Sequence, residues 1–288
     1  MIGNKSKTIE LLQQHQLRAK KKFGQNFLAD PNTLEKIVKV ADITKETCVI
    51  EIGPGLGALT EVLAKSARKV LAYEIDPDMV EILKDTLKNE TNIVLKQQDI
   101  LTVELDQDIH EHLQDETELV VVANLPYYIT TPIIMKVLKQ NAGIKKIIIM
   151  MQKEVAQRIV SPPKHKEYGY LSVVCQYYGH TKIAFDVPRT VFIPKPNVDS
   201  AIVVINLYDQ KKYHPNNEEF FFEFLRAIFV QKRKTLSNNI HSSYQISKEG
   251  IETLLHELKI NPKVRAEELS ILEMVQISNF LNNVHRRK

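Results

Sequence analysis

Glycine is scarce in this chain: it accounts for 9 of 288 residues, where average usage predicts about 20. Cysteine occurs only twice, and no uninterrupted apolar run exceeds the five residues of Ile147–Met151. That run is far shorter than the roughly 20 residues that a membrane-spanning helix needs. These absences, with a hydrophobic fraction of 43%, exclude a collagen-like, disulfide-stapled or disordered chain. The length suits one large globular domain and a smaller one.

The two cysteines lie in apolar segments, Cys48 in TCVIEIG and Cys175 in LSVVCQYY. Such cysteines behave as small buried hydrophobic residues, and the lack of a set of pairs indicates a reducing compartment. The first ten residues, MIGNKSKTIE, contain no apolar segment of the kind that secretory signals carry. We therefore expect a soluble, cytoplasmic protein with no membrane association.

Positive charge is concentrated in a few places. The net charge is only +4, yet residues 1–22 hold six basic residues and one acidic residue. Lys232, Arg233 and Lys234 form a second basic cluster and residues 286–288 a third, whereas residues 99–118 contain eight acids and no Lys or Arg. This segregation suits a polyanionic partner that approaches from one side. Charge alone fits solvated faces and a frayed tail equally well.

Strand-like apolar runs recur at regular intervals through the first half of the chain, at 47–53, 69–76, 92–99, 119–124 and 145–152. Helical patterns such as Ala58–Ala67 and Pro77–Lys88 separate the first of them. This alternation predicts a parallel α/β sheet that is covered by helices on both faces. Two later runs, 183–187 and 201–208, are expected to add an antiparallel edge.

Helix signals appear on both sides of these strands. Asp30-Pro31 predicts a helix start that is followed by a buried apolar stripe, and from Pro215 onward helical stripes dominate. Tyr168–Tyr178 fits a helix or a strand. We therefore divide the chain into a basic arm (1–22), an α/β domain (23–209) and a smaller all-helical domain (210–288).

Three of the nine glycines fall within five positions, in Glu51-Ile-Gly-Pro-Gly-Leu-Gly57, between the first long strand and a helix. Glycines at such a turn permit positive φ and let a ligand approach the backbone. The G-x-G-x-G spacing departs from the G-x-G-x-x-G of dinucleotide-binding turns, which argues against NAD or FAD.

Acidic residues follow the next two strands, Glu74 after VLAY and Asp99 after VLKQQ. Acids at the carboxyl ends of successive parallel strands face one crevice, and the first lies at the distance from the glycines at which a carboxylate reaches ribose hydroxyls. Each acid on its own also fits a helix cap. In combination with the glycine turn they predict a nucleoside-type ligand.

The glycine spacing and the two acids together resemble class I S-adenosylmethionine (SAM)-dependent methyltransferases. The resemblance implies a Rossmann-like sheet, SAM as methyl donor and no metal. It also implies that the loop of Gly53, Gly55 and Gly57 passes the methionine moiety, that Glu74 holds the ribose and that Asp99 meets the adenine.

The fourth strand ends in Asn124-Leu125-Pro126-Tyr127. The exocyclic amine of adenine is a poor nucleophile, because its lone pair is delocalised into the ring. The Asn124 side-chain oxygen and the Pro126 carbonyl could accept its N–H groups, localise that lone pair and stabilise the developing positive charge. Tyr127 offers a flat face for an extruded base. In isolation the tetrapeptide also fits a turn before a helix.

The tetrapeptide resembles that of amino-methyltransferases, and Leu125, where DNA adenine enzymes have proline, is similar to the rRNA adenine N6,N6-dimethyltransferases. KFGQNFLAD (22–30) and VFIPKPNVDS (191–200) resemble two further motifs of that family. QKRKTLSNNI (231–240) and NPKVRAEELS (261–270) are similar to its small-subunit branch. The resemblance covers nearly the whole chain.

This resemblance implies that Asn26 and Leu28 help to close over SAM, which Asn124 also contacts, and that Phe192 sandwiches the target base opposite Tyr127. The implied reaction dimethylates N6 of two adjacent adenosines in the 3′-terminal hairpin loop of 16S rRNA, with a role in small-subunit biogenesis. The protein is expected to be monomeric. The cations expected at RNA phosphates are Lys20, Lys21, Lys22, Lys232, Arg233 and Lys234.

Other interpretations stay open. A large-subunit enzyme of the macrolide-resistance type is disfavoured by the C-terminal strings, and a DNA adenine methyltransferase by Leu125. A mainly non-catalytic ribosome assembly factor is a third alternative. Phe192 also fits simple packing between Val191 and Ile193, and the 232–234 cluster also fits a charge complement at a helix C-terminus.

Overall fold

The computed structural model describes residues 1–15, 25–113, 118–126, 129–140 and 142–285. The predictions for Lys20, Lys21, Lys22, Tyr127 and the cluster at 286–288 therefore lie outside the described residues. The chain divides into two compact units. Unit 1 comprises Met1–Ala156 and His180–Leu207, and unit 2 comprises Gln157–Gly179 and Tyr208–Lys288.

Seven of the nine described strands lie where the apolar runs predict, with shifted ends, and the two-residue strands β1 and β8 were not predicted. In chain order they are Phe27–Leu28 (β1), Thr47–Ile52 (β2), Lys69–Glu74 (β3), Ile93–Gln97 (β4), Glu118–Asn124 (β5), Ile144–Gln152 (β6), Gly179–Val187 (β7), Phe192–Ile193 (β8) and Ser200–Leu207 (β9).

Seven strands form one sheet in the order β4-β3-β2-β5-β6-β9-β7. The pairs from β4 to β6 are parallel, and β9 is antiparallel to β6. The predicted mostly parallel sheet with a late antiparallel edge is therefore confirmed. The strand order reverses between β2 and β5, and ligands of open α/β sheets bind outside the carboxyl ends of the strands at such a point.

The described helices are Lys5–Gln14 (α1), Pro31–Ala41 (α2), Ala58–Ser66 (α3), Pro77–Thr86 (α4), Leu105–His112 (α5), Thr130–Gln140 (α6), Lys153–Val160 (α7), Tyr170–Tyr178 (α8), Glu218–Phe229 (α9), Leu236–Tyr244 (α10), Lys248–Glu257 (α11) and Ile271–His285 (α12). Among the described residues, no helix combines the length and the apolar character that a membrane crossing requires.

Helix α2 begins as the sequence predicts. The Asp30 side chain accepts a hydrogen bond from the backbone N–H of Thr33 at 2.9 Å, and Pro31 occupies the first turn. The predicted stripe is buried and packs against β2 and β3 residues such as Val49 and Val70. Because this helix is fixed by its cap and its stripe, residues 25–28, which lie shortly before it, are held at the cavity beside the carboxyl ends of the strands.

The predicted basic arm is in part a packed element of unit 1. Asn4 caps α1 by accepting from the Ser6 N–H at 3.0 Å. Ile2 and Leu11 are buried and pack in one cluster with Phe27 and Leu56. The first 15 residues therefore differ from the free arm that their charge suggests, because two apolar side chains anchor them.

The division of the chain also differs from the sequence-based one in one segment. Unit 1 ends at Leu207, close to the predicted boundary, but residues 157–179 group with the C-terminal helices. This segment contains α8, which the sequence left ambiguous. The Tyr177 hydroxyl on α8 donates to Glu218 on α9 at 2.8 Å, and Tyr178 stacks on Phe222. These side-chain contacts explain why the segment packs with unit 2.

Candidate active site

One cavity in unit 1 opens at the carboxyl ends of β2, β3 and β5, at the reversal of strand order. It collects residues that the sequence assigns to the site from six separate segments. Those that line it are Asn26, Leu28, Gly53, Gly55, Glu74, Asp99, Asn124, Pro126 and Phe192.

Strand register explains why the glycine turn and the tetrapeptide meet. Ile52 pairs with Ala123 in the parallel β2–β5 ladder, so that Gly53 and Asn124 leave the sheet side by side. A Cβ atom at Gly53 would lie 3.5 Å from the Asn124 carbonyl oxygen. The two motifs thus form adjoining walls of the cavity.

Two of the three glycines face the cavity with left-handed backbones. Gly53 has a φ of +73° and Gly55 a φ of +58°. A Cβ at Gly55 would lie 3.3 Å from the Phe27 ring, which is tighter than ordinary packing. The turn therefore requires glycine both for its conformation and for space.

Gly57 differs from the other two glycines in its surroundings. It is the N-cap of α3 with a φ of +89°, and it is not among the residues that line the cavity. A Cβ there would come within 3.0 Å of Leu83 on α4. The third glycine is thus explained by backbone conformation and helix packing, and its assignment to the cofactor is not supported by its location.

Glu74 is fixed against the glycine turn. Its Oε2 accepts from the Gly55 N–H at 3.1 Å and its Oε1 from the Asp76 N–H at 2.9 Å. Burial raises the pKa of the Glu74 carboxyl, and these backbone bonds oppose that rise. A carboxylate has about four lone-pair sites, so two oxygens that each accept one N–H retain capacity for ligand hydroxyls.

Asp99 serves as a cap and also lines the cavity. Its side chain accepts from the Leu101 N–H at 3.0 Å, at the start of the short 3₁₀ helix Ile100–Thr102. It lies two residues beyond the end of β4. Asp99 is therefore a helix cap, and its contact with the adenine of a ligand stays a prediction.

The carbonyl oxygen of Pro126 has two protein partners. It accepts from the backbone N–H of Ile129 and from the Thr130 hydroxyl, each at 3.2 Å. Since a carbonyl has two lone pairs, an amine at this site has to share or displace a donor. The Thr130 hydroxyl is the partner that can leave by rotating about one side-chain bond. These bonds show that the tetrapeptide also forms the turn into α6.

Two motifs that are far apart in the chain form a small antiparallel sheet over the cavity. Leu28 of β1 pairs with Phe192 of β8, and the Ala29 N–H donates to the Val191 carbonyl at 2.8 Å. Phe192 is buried and belongs to the same apolar cluster as Leu28. The exposed ring that a base-stacking role suggests is therefore not what the structure has, although the ring also borders the cavity.

Sequence reasoning assigned no role to several residues that border the cavity. Glu51 is the clearest, because it is a fully buried carboxyl at the end of β2. Ile75 follows Glu74 and is 49% exposed, an unusual exposure for isoleucine next to a buried acid. Thr8 of α1 contributes from the N-terminal segment. In the sequence, Glu51 could have been recognised as a candidate because it is the acid that begins the glycine motif.

The 232–234 cluster lies in unit 2, on the turn between α9 and α10, and its three side chains are exposed. The buried Asn239 side chain holds this turn by donating to the Ile228 carbonyl at 2.8 Å and to the Gln231 carbonyl at 3.2 Å. The Lys232 ammonium donates to the Lys166 carbonyl. The cluster is therefore presented on a turn that the protein itself orders.

Asp108, Glu111 and His112 lie close enough together to hold a metal ion. Both Asp108 oxygens are engaged, one by the Lys96 ammonium and the other by the Tyr73 hydroxyl, each at 2.7 Å. These partners lower the pKa of Asp108 against the effect of its burial. The group is accounted for as an ion-pair network that ties α5 to β3 and β4.

Comparisons with known proteins identify the family of the chain. The family model described as ribosomal RNA adenine dimethylase matches residues 16–283. Ribosomal RNA small subunit methyltransferase A of Bacillus pumilus (strain SAFR-032) is 47% identical over 283 residues, which cover 97% of each chain. The protein of the same name from Streptococcus mutans serotype c is 47% identical over 286 residues, which cover 98% of each.

Two solved structures support the fold. A dimethyladenosine transferase from Plasmodium falciparum matches with a TM-score of 0.74 at 24% identity, over 89% of this chain and 98% of its own. The 23S rRNA methyltransferase ErmE matches with a TM-score of 0.65 at 24% identity, over 89% and 99%. They confirm the class I SAM-dependent methyltransferase fold predicted from the glycine turn and the acids. From the family model and the full-length relatives, the chain belongs to the ribosomal RNA adenine dimethylase family.

Proposed function

We propose that this protein uses SAM to dimethylate N6 of two adjacent adenosines in the 3′-terminal hairpin loop of 16S rRNA, within the small ribosomal subunit. The observation that carries the proposal is the meeting of two walls in one cavity. The glycine turn with Glu74 and Asp99 forms one wall, and Asn124 and Pro126 form the other. The small-subunit names of the full-length relatives support the choice of RNA.

The cavity residues fit SAM. Gly53 and Gly55 line the cavity with backbone alone, and Glu74 presents carboxylate oxygens beside them. Ile75 and Ile100 supply apolar surface near Asp99 for a purine ring. SAM supplies a methyl group on a sulfonium, which is electrophilic enough to alkylate a neutral amine. No metal enters the proposal.

Asn124 is assigned the main chemical role. Its side-chain oxygen accepts an N6–H of the target adenine, which localises the amine lone pair toward the methyl donor. The Pro126 carbonyl accepts the second N6–H once the Thr130 hydroxyl turns away. The tetrapeptide thereby stabilises the positive charge that develops on nitrogen as the new C–N bond forms. The carbon–sulfur bond breaks with its electron pair on sulfur.

No general base is assigned, because the proton on the methylated, cationic nitrogen leaves readily to water. The first product is a monomethyl amine that keeps one N–H, and Asn124 accepts it in the second round. Two methyl groups on each of two adenosines require four transfers. Each transfer consumes one SAM, so the methyl donor must be replaced between rounds.

Adenosines in an RNA loop are more suitable substrates for this cavity than adenosines in a helix. Edges of bases in A-form helices are hard for a protein to reach, whereas unstacked loop bases can be extruded into a cavity. Tyr127 and Phe192 are assigned to contact the extruded base. The exposed residues Arg233 and Lys234, together with the N-terminal lysines, are assigned to phosphates. We place the enzyme in the cytoplasm as a monomer that acts on ribosomal subunits during their biogenesis.

The proposal is tested by incubating the protein with labelled SAM and three separate substrates: undermethylated small subunits, undermethylated large subunits and duplex DNA. We expect label only in small-subunit RNA. Label confined to large-subunit RNA would support a resistance-type enzyme. Stable binding to small subunits without any label would support a non-catalytic assembly factor, and either result overturns the proposal.

A further inference from the structure

Glu51 is a buried carboxyl that the mechanism above does not use. It is the fifth of the six residues of β2, it is 1% exposed and it borders the cavity. Neither of its oxygens has a partner in hydrogen-bond geometry among the described residues. An ionised carboxylate without a partner is very costly in such a place, so this side chain requires an explanation.

Two groups act on the Glu51 carboxyl besides its burial. Thr60, on α3, favours the charged form, whereas the carboxylate of Glu74, on β3, disfavours it by repulsion. Burial is the largest effect, and it raises the pKa of Glu51 to about 8. At neutral pH the side chain therefore holds a proton when the cavity contains no cation.

A ligand with positive charge reverses this balance. An opposite charge within a few ångströms favours the ionised form of a carboxyl, and the effect is strong for a carboxyl as deeply buried as Glu51. SAM carries two cationic groups, the sulfonium and the α-ammonium. Its product, S-adenosylhomocysteine, carries the ammonium alone. SAM therefore brings into the cavity a positive charge that can pair with the ionised Glu51 carboxylate.

We propose that Glu51 is a proton-linked countercharge of the cofactor cavity, neutral when the cavity is empty and ionised when a cationic methyl donor is bound. The inference rests on the proposed function for the identity of the donor. When the donor binds, the O–H bond of Glu51 breaks and its proton passes to solvent. After transfer the sulfonium has become a neutral thioether, so that one positive charge has been lost and the carboxylate can regain a proton.

This linkage assigns Glu51 a role in exchanging product for donor. The ionised carboxylate stabilises the bound cation, and it becomes a buried charge with less compensation once the sulfonium is gone. Uptake of a proton from solvent removes that charge and restores the empty-state form of the cavity. Since each base requires two donors in succession, this exchange occurs repeatedly on one subunit.

The test is calorimetric titration of the wild-type protein with SAM at pH 7 in two buffers of different ionisation enthalpy. We expect release of nearly one proton per SAM bound. The affinity should rise with pH, by about tenfold per pH unit between the bound-state and free-state pKa values. Titration with S-adenosylhomocysteine tests the role in product exchange: we expect smaller release because the sulfonium is absent, and release equal to that with SAM would overturn that role and assign the countercharge to the ammonium.

The variant Glu51→Gln keeps the shape of the protonated side chain and cannot ionise. We expect it to bind SAM without proton release and with a flat pH dependence. Glu218→Gln is the matched control, because it makes the same chemical change at a carboxyl of unit 2 that is already ionised at neutral pH. It should retain the wild-type proton release.

Three outcomes overturn the inference: no proton exchange in the wild type, unchanged release in Glu51→Gln, or loss of release in Glu218→Gln. SAM binding without proton exchange removes this inference and leaves the proposed function standing. Absence of SAM binding by the wild type removes both. The pH dependence of unfolding of the empty protein, compared with that of Glu51→Gln, tests the protonated state without any ligand.

Discussion

Asn124 lies where the carboxyl ends of β2 and β5 meet. It is the residue whose side-chain amide the proposed mechanism uses. Its backbone carbonyl lies against Gly53, and its side chain borders the cavity. Gly53 and Gly55 keep the facing wall free of side chains. Asn124 therefore has a fixed backbone at the cavity, and the proposal assigns its side-chain oxygen to accept from the reacting amine, as electrostatic catalysis requires.

Replacing the Asn124 side chain should slow methyl transfer and leave the binding of SAM and RNA largely unchanged. We expect Asn124→Ala to lower the turnover rate by about 10²–10³-fold, as when one preorganised transition-state hydrogen bond is removed. SAM and RNA affinities should change little in equilibrium titrations. Asn89→Ala, at an exposed position outside the cavity, is the control. Wild-type turnover in Asn124→Ala would rule out the acceptor role.

The protonation of Glu51 also predicts how stability depends on pH. The pKa of this carboxyl is about 8 in the folded protein and near its ordinary value of 4.5 when unfolded. Between these values the folded state binds more protons, so this residue makes the free energy of unfolding fall as pH rises. Glu51→Gln should therefore gain stability over the wild type from pH 5 to pH 8, by up to a few kcal/mol.

Denaturant unfolding at a series of pH values measures this difference. The two proteins should be closest in stability near pH 5, where the wild-type carboxyl is neutral in the folded state. A gap that is constant with pH would mean that Glu51 ionises normally in the folded protein.

Secondary-structure elements differ in how far the sequence specifies them. The long strands were predictable because buried parallel strands are continuous apolar runs. The β1–β8 pair was not, since two-residue strands have no periodicity and their partners lie far apart in the chain. The placement of α8 required knowledge of its aromatic neighbours on α9. The cavity could be predicted from strand ends, whereas the closing elements over it could not.

Helix α1 is one such closing element, and its removal should affect the cofactor more than the RNA. We expect deletion of residues 1–15 to weaken SAM binding several-fold, because Ile2 and Leu11 no longer cover Phe27 and Leu56 and Thr8 no longer borders the cavity. Titration of SAM by intrinsic fluorescence or calorimetry measures this change in affinity.

A full-length variant with Lys5→Ala and Lys7→Ala separates packing from charge. It keeps the apolar anchors of α1 and removes the two described cations of the segment. We expect wild-type SAM affinity in this variant. Reduced SAM affinity in the charge variant alone would show that α1 acts through its lysines and not through packing.

The whole molecule separates its proposed tasks between two units. The cavity is built entirely from unit 1, and the most compact basic cluster of the described residues lies on a turn of unit 2. Because the overall charge is only slightly positive, affinity for RNA must come from local clusters. The buried amide of Asn239 orders the turn that carries one of them.

Removing that cluster should change the salt dependence of RNA binding. We expect Lys232→Ala, Arg233→Ala and Lys234→Ala together to reduce the slope of log K against log salt by roughly 0.7–0.9 for each phosphate that is no longer neutralised. Lys232→Ala alone should have the smallest effect, since its ammonium is bonded to the Lys166 carbonyl. Replacement of the exposed Lys36, Lys39 and Lys248 by alanine is the control for net charge. Equal slopes of log K against log salt in both triple variants would show that the cluster does not contact RNA.

The proposed reaction places methyl groups on one atom, N6, of two adjacent adenosines. The most direct measurement is mass-spectrometric mapping of small-subunit RNA after reaction of undermethylated subunits with the protein and SAM. We expect N6,N6-dimethyladenosine at two adjacent positions in the 3′-terminal hairpin loop, formed about 10²–10³-fold more slowly by Asn124→Ala. Methylation of another atom, of another region, or no further than one methyl per base would contradict the proposed reaction.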